Sequence, residues 1–177
     1  ESAYHIIETK NNEITDSINY AKRIQYAILP DQSEIDQHLG EYFIQYRPKD
    51  IVGGDFYSFS IRGNTIYIAA ADCTGHGVPG AFMSLVGSKE LEIASAKSES
   101  PGKILHDLNI GMKATLKQNN VDATRDGMDI ALLAIDNRKV RYAGANRPLW
   151  IYRKSAREIE EIKGTKMAIG GTTPDGQ

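Results

Sequence analysis

Cysteine is almost absent: Cys73 is the one thiol in 177 residues. That excludes an intrachain disulfide framework, leaves too few thiols for a structural zinc site, and fits a reducing cytoplasm. Long apolar runs are missing too. None approaches the ~20 residues that span a bilayer, and the N-terminus carries no signal-peptide pattern. Neither sign of charge is in excess: 21 Lys and Arg stand against 23 Asp and Glu, a formal charge of −2. Such a balance argues against a basic nucleic-acid-binding surface over the whole domain. There is no internal repeat and no low-complexity segment. The chain opens on Glu1 without an initiator methionine and so reads as a piece of a longer polypeptide. What is present is 41% hydrophobic and 25% charged, the make-up of one soluble globular domain with a short appendage. A chain of this length buries roughly 70% of the surface its unfolded form exposes, enough for a core without staples.

The appendage is the first thirty residues. From Ile6 to Leu29 there is neither Gly nor Pro, and Ile7, Ile14, Ala21 and Ile28 recur every seventh residue with Ile18 and Ile24 between them. This predicts a helix with one apolar stripe, closed by Pro30. Asn11 and Gln25 interrupt the stripe, so the helix either pairs with a second copy or an upstream connector, or folds back on its own domain. Residues 1–30 are therefore read as a helical connector and 31–177 as the globular domain. After a polar stretch from Asp31 to Glu41, strands are expected at Phe43 to Arg47, Asp55 to Ile61 and Thr65 to Ala71, the last two joined by a hairpin at Arg62-Gly63-Asn64. Pro79 and Ser100-Pro101 open two helices. Strand patterns resume at Met128 to Ile135, Val140 to Ala143, Leu149 to Tyr152 and Arg157 to Ile162. Strands, then helices, then strands predict an α+β fold with a largely antiparallel sheet, not βαβ winding.

Two segments set an aspartate against glycines at a strand end: Val52-Gly53-Gly54-Asp55 and Asp72-Cys73-Thr74-Gly75-His76-Gly77. If the strands pair around Gly63-Asn64, Asp55 and Asp72 meet at the end away from the turn, close enough to share a hard cation such as Mg²⁺ or Mn²⁺. Taken singly, each aspartate reads as a turn cap. Gly75 to Gly80 also has the character of an anion-binding loop before a helix, yet no Lys-Ser/Thr follows it, which argues against a nucleotide-binding ATPase.

Arg47-Pro48-Lys49-Asp50-Ile51-Val52-Gly53-Gly54-Asp55-Phe56-Tyr57 and Asp72-Cys73-Thr74-Gly75-His76-Gly77-Val78-Pro79-Gly80-Ala81 resemble the two opening signatures of the SpoIIE/RsbU-type bacterial serine phosphatases, a branch of the metal-dependent type-2C-like superfamily. Asp126-Gly127-Met128-Asp129-Ile130-Ala131 and Tyr142-Ala143-Gly144-Ala145-Asn146-Arg147-Pro148 match further motifs. Asp16 to Gln25 is similar to the connector that joins sensor modules to such domains. The resemblance runs from about residue 14 to about 170. It implies two antiparallel β-sheets sandwiched by helices, an N-terminal connector helix, and hydrolysis of phosphoserine or phosphothreonine on a protein, by analogy an anti-sigma-factor antagonist. It also implies an upstream sensor in the same polypeptide, a homodimer through the N-terminal helix or exposed strand edges, and a cytoplasmic location, with a membrane tether possible only through an upstream module. No nucleic-acid partner is expected.

Carried over to this chain, the resemblance makes Asp55 and Asp72 holders of two Mn²⁺ or Mg²⁺ ions, with Asp72 the bridge and the main-chain carbonyl of Cys73 a further ligand. An activated water, not the Cys73 thiol, would then attack phosphorus. His76 is either a proton donor to the leaving oxygen or a loop-structuring residue. Asp129, inside an apolar strand, needs a partner and is either a metal ligand or a hydrogen-bond acceptor for a nearby turn. Asn146 and Arg147 form a turn or touch substrate, and Arg47 and Lys49 either meet a phosphate or belong to a solvated face. The alternative reading is a non-catalytic signalling or binding module on the same fold. Family members carry a hydrophobic-Ser-Asp-Gly motif and a later acidic motif after the point where this sequence stops, and Asp175 lies in no apolar strand that could replace them. An incomplete metal-ligand set is accordingly expected for these 177 residues, with unpaired strand edges that favour association.

Overall fold

Chain connectivity already places the site, because each pair of paired, sequence-adjacent strands is joined by a short turn or brackets the two long helices. In the computed structural model, which describes residues 3–120, 124–137 and 139–173, helices α1 (Ala3–Ala27) and α2 (Gln32–His38) precede strands β1 (Asp55–Arg62) and β2 (Thr65–Cys73). Helices α3 (Gly77–Lys97) and α4 (Pro101–Thr115) follow, then strands β3 (Gly127–Asp136), β4 (Lys139–Ala145), β5 (Leu149–Arg153), β6 (Glu158–Ile162) and β7 (Ile169–Gly170). One sheet has the order β1-β2-β3-β4, with β7 also on β3; β5 and β6 form a separate two-stranded sheet. All of these pairings are antiparallel. Arg62 faces Thr65 across a two-residue turn in which Gly63 takes φ +59°, the left-handed geometry that matches hairpin twist. Strand β4 pairs with β3 from Ala131 to Asp136, and β7 takes Gly127 and Met128 beyond it.

The α+β expectation, with antiparallel sheets and an N-terminal helix, holds. Alternation along the strands divides the large sheet into two faces. Phe56, Tyr67, Ala69, Ala71, Cys73, Met128, Ile130, Leu132 and Ala134 form one core with Met83 and Leu91 of α3 and Ile104, Leu108 and Met112 of α4. Gly87 is where α3 comes nearest the sheet: a Cβ there would lie 2.7 Å from Met128 Cε. The opposite face carries Asp55, Tyr57, Ala70, Asp72 and Ala131 along a cleft of about 700 Å³.

Two expected elements differ. Residues 43–47 form no strand: β1 ends the sheet order, Phe43 is 89% exposed, and the segment is held instead by Tyr46, whose ring meets Tyr26 and Tyr57 edge-on at 5.7 and 5.9 Å. A short apolar run becomes a strand only with a ladder partner. The stretch after Pro30, read as polar loop, contains α2, capped by Asp31 through a 2.8 Å bond from the Ser33 amide; burial of Ile35 and contact of His38 with Phe59 hold it.

Helix α1 docks through only part of the apolar stripe, extended by a polar residue. Ile7, Ile14 and Ile28 are exposed, while Ile18, Ala21 and Gln25 are turned inward at helical spacing. Gln25 is the one buried residue of this helix. Its amide donates to the Gly53 carbonyl at 2.6 Å and to Ser84 Oγ at 2.8 Å, and its Oε1 accepts from the Gly53 amide at 3.2 Å. Gln25→Ala leaves both backbone groups of Gly53 without that partner, and desolvated unpaired groups of this kind cost about 1–3 kcal/mol. Urea unfolding is expected to show a lower midpoint at unchanged slope, corresponding to roughly 2 kcal/mol.

Candidate active site

The β1–β2 register sets Asp55 opposite Asp72, and the β2–β3 register sets Asp72 opposite Asp129. Residues directly opposite on paired strands project to the same side, so three carboxylates stand in a row across three adjacent strands. Just past β4 the row is closed by two further side chains. Asn146, at φ +56°, donates from Nδ2 to Asp129 Oδ1 at 2.9 Å. Arg147 donates from Nη2 to Asp72 Oδ2 and lies 3.7 Å from Asp129 Oδ2. Burial raises the pKa of Asp55, and the facing Asp72 raises it further by charge and hydrogen bonding, while Arg147 pulls it down. Carboxylates crowded in this way favour a cation between them.

Backbone packing brings further oxygens to the row. A Cβ on Gly54 would lie 2.8 Å from the carbonyl oxygens of both Cys73 and Gly75, so only glycine lets the chain entering β1 approach the chain leaving β2. The Cys73 amide in turn donates to the Gly54 carbonyl at 3.3 Å. Gly75, at φ +91°, then turns the chain into α3. Thr74 ties this loop to β3: its amide donates to the Gly127 carbonyl at 2.9 Å, and its Oγ1 accepts from the Gly127 amide at 3.0 Å. The donors near Asp55 and Asp72 are all hard oxygens, which suits a magnesium-like ion. Among the described residues no three His, Cys, Asp or Glu side chains cluster to hold an ion, so an ion here would keep much of its own water.

The other sequence candidates are spread around this row. His76 stands at the N-terminus of α3 with Nδ1 2.7 Å from Asp50 Oδ2, both side chains exposed. Arg47 is exposed and lines the same cleft as Asp55, Asp72 and Arg147; Lys49 is exposed and does not line it. Asp175 lies outside the described residues. The Cys73 side chain is buried on the core face, and burial, reinforced by Asp72 and Asp55, pushes its thiol up to about 12. Asp72 borders two cavities. One is the apolar cleft, with Tyr57, Pro148 and Trp150 in its walls; the other, about 540 Å³, is lined by Asp129, Asn146, Arg125 and Lys166.

The profile of the family described as Stage II sporulation protein E (SpoIIE) matches residues 62–175. The chain belongs to this SpoIIE family. The SiaA-PP2C domain of Pseudomonas aeruginosa is similar over 91% of the chain, at 36% identity and a TM-score of 0.80, and the chain spans 64% of that domain's length. The fold is also similar to the PP2C phosphatase domain of SpoIIE from Bacillus subtilis, at 19% identity and a TM-score of 0.51 over 67% of the chain and 34% of the other. A comparable likeness extends to the RsbU and RsbW domains of a Mycobacterium tuberculosis protein, at 19% identity and 0.54 over 70% and 34%. No curated protein sequence matches the chain. The matched SpoIIE region holds Asp72, Asp129 and Arg147 and begins seven residues after Asp55.

Two residues were poorly legible beforehand. Arg147 sits in a turn, and its partner Asp72 is 75 residues away. Asp50 precedes its partner His76 by 26 residues. Neither spacing carries a local signal; pairing was written only in the register and the loop path.

Two outcomes test this site. With the thiol pKa at about 12, only about 1 in 10⁴ Cys73 side chains is thiolate at pH 8, so iodoacetamide should label the chain at pH 8 only after unfolding, as read by mass spectrometry. Gly54→Ala must force two carbonyls apart, and overpacking of this kind costs about 1–3 kcal/mol; a thermal melt unchanged from the parent would contradict the close approach.

Proposed function

We propose that the chain is a divalent-metal-dependent protein serine/threonine phosphatase domain, residues 31–177, regulated through the helical connector at 1–30. The observation that carries this reading is the row Asp55, Asp72 and Asp129 on adjacent strands of a SpoIIE-family domain. Bound Mn²⁺ or Mg²⁺ would supply an activated water and neutralise charge on the phosphoryl group. Asp55, Asp72 and the Cys73 carbonyl are the groups that would hold the ions, with Asp129 available to a second one.

The remaining roles belong to the chain's own side chains. His76, oriented by Asp50, is placed on the loop after Asp72 and can donate a proton to a departing serine oxygen. Arg47, which lines one of the two cavities at Asp72, and Asn146, which lines the other, are candidates for contact with the phosphoprotein, as is Lys49, exposed outside both. Cys73 remains a thiol and takes no part. The substrate is a phosphorylated regulatory protein, by analogy an anti-sigma-factor antagonist.

Regulation has a physical route. The last turn of α1 holds the start of β1 from two sides: Gln25 grips Gly53, and Tyr26 packs on Tyr46, whose hydroxyl donates to the Asp55 carbonyl at 3.2 Å. An upstream sensor that shifts or pairs this helix would move Asp55 relative to Asp72, and the exposed Ile7, Ile14 and Ile28 suit pairing with a second copy of the helix. A non-catalytic binding role draws on one observation, that Arg147 engages Asp72.

Hydrolysis of a phosphoserine peptide in Mn²⁺ decides between the two. The full-length protein is the parent in this comparison: it is expected to turn over and to lose activity with EDTA, and Asp72→Asn in it to fall by at least about 10²-fold. The 177 residues alone, with an incomplete ligand set, are expected to turn over weakly or not at all. Equal rates in parent and variant would overturn the catalytic assignment.

A further inference from the structure

The acidic row already contains a cation, supplied by the chain itself. The Arg147 guanidinium donates to Asp72 and lies 3.7 Å from Asp129, the same two carboxylates that would take up a divalent ion. Its backbone is held at the carbonyl and at the preceding residue. The Tyr142 hydroxyl donates to the Arg147 carbonyl, Gly164 packs so closely that a Cβ there would lie 2.8 Å from that oxygen, and the preceding Asn146 is bound through its amide to the Thr165 carbonyl at 2.8 Å. The guanidinium end is different: the side chain is 45% exposed, against 52% for Asp72. A fixed pivot thus carries a long arm whose charged head sits at the surface of a cleft, where an ion pair is weak enough to exchange.

We infer that Arg147 is a tethered counter-ion that competes with the divalent metal for Asp72 and Asp129 and must release them when the metal binds. The inference rests on the metal-dependent reading above. While the guanidinium holds these oxygens it offsets the repulsion among three adjacent carboxylates. The guanidinium engages Oδ2 of both carboxylates, and its positive charge repels an incoming cation at that distance, so metal entry frees a planar, permanently charged fork beside the site. A freed guanidinium of that kind is suited to bind phosphoryl oxygens in pairs.

A purely structural arginine and a competing one predict opposite signs. If Arg147 merely holds Asp72 and Asp129 in place, its loss weakens metal binding; if it competes, its loss tightens it. Mn²⁺ binding to the full chain, followed by EPR of free Mn²⁺ and by calorimetry, is expected to be about fivefold tighter for Arg147→Gln, the size of an exposed ion pair. Arg147→Lys, which keeps the charge without the fork, should fall between Gln and the parent. Far-UV circular dichroism establishes that each variant is folded. A second measurement needs no variant: in a Mg²⁺ titration of the ¹⁵N-labelled parent, the Arg147 Nε–H signal should shift at the same midpoint as the Asp72 amide.

Asp72→Asn separates the two levels of the argument. Asp72-dependent Mn²⁺ binding that is unchanged or weaker in Arg147→Gln, or an Arg147 signal indifferent to Mg²⁺, overturns the inference alone. Absence of any Asp72-dependent binding in both the parent and Arg147→Gln removes the metal reading and the inference with it.

Discussion

The register of three antiparallel strands is the constraint on which the rest depends. Asp55 and Asp72 come from one hairpin and Asp129 from a strand beyond two long helices, and they form a row only because β1, β2 and β3 pair with those residues directly opposite. A slip of one residue on any strand would send its aspartate to the core face and bring an apolar side chain out. The core therefore enforces the site. Phe56, Ala71, Cys73, Met128 and Ile130 are buried beneath α3 and α4, and their burial holds the alternate residues in the cleft.

The same economy of space governs the loops. Gly54 lets two stretches of backbone touch where a side chain would meet the Cys73 and Gly75 carbonyls, and that contact keeps Asp55 level with Asp72. Gln25 then fastens the amino-terminal helix to the neighbouring Gly53. The helix, the glycine loop and the aspartate row form one mechanical unit, so displacement of the helix end and placement of a carboxylate are linked through covalent neighbours, without any long path through the core.

Much of this was legible as pattern. The hairpin between β1 and β2 follows from Gly63-Asn64 between two alternating runs, and Asp55 and Asp72 at its open end follow from counting back from the turn. Proline placement announced both long helices. The failures share a cause. Residues 43–47 have strand composition but no strand beside them, and α2 has one buried apolar residue, Ile35, too few to show a period. Of the stripe in α1 only Ile18 and Ala21 dock, joined by Gln25, which had read as an interruption of the stripe, since a buried glutamine with three hydrogen bonds decided the contact.

Sequence alone thus determined the class of fold, the family resemblance and the identity of the acidic residues, because these are carried by local composition, turn chemistry and short motifs. Tertiary structure decided what faces those acids. Arg147 and Asn146 stand against Asp72 and Asp129, Asp50 stands against His76, and Gln25 is buried against Gly53. Each of these pairs joins residues 17 to 75 positions apart, beyond the reach of any helical or strand period. Such contacts are set by strand register and by how closely glycines let the backbone approach, and those exist only once the sheet has formed.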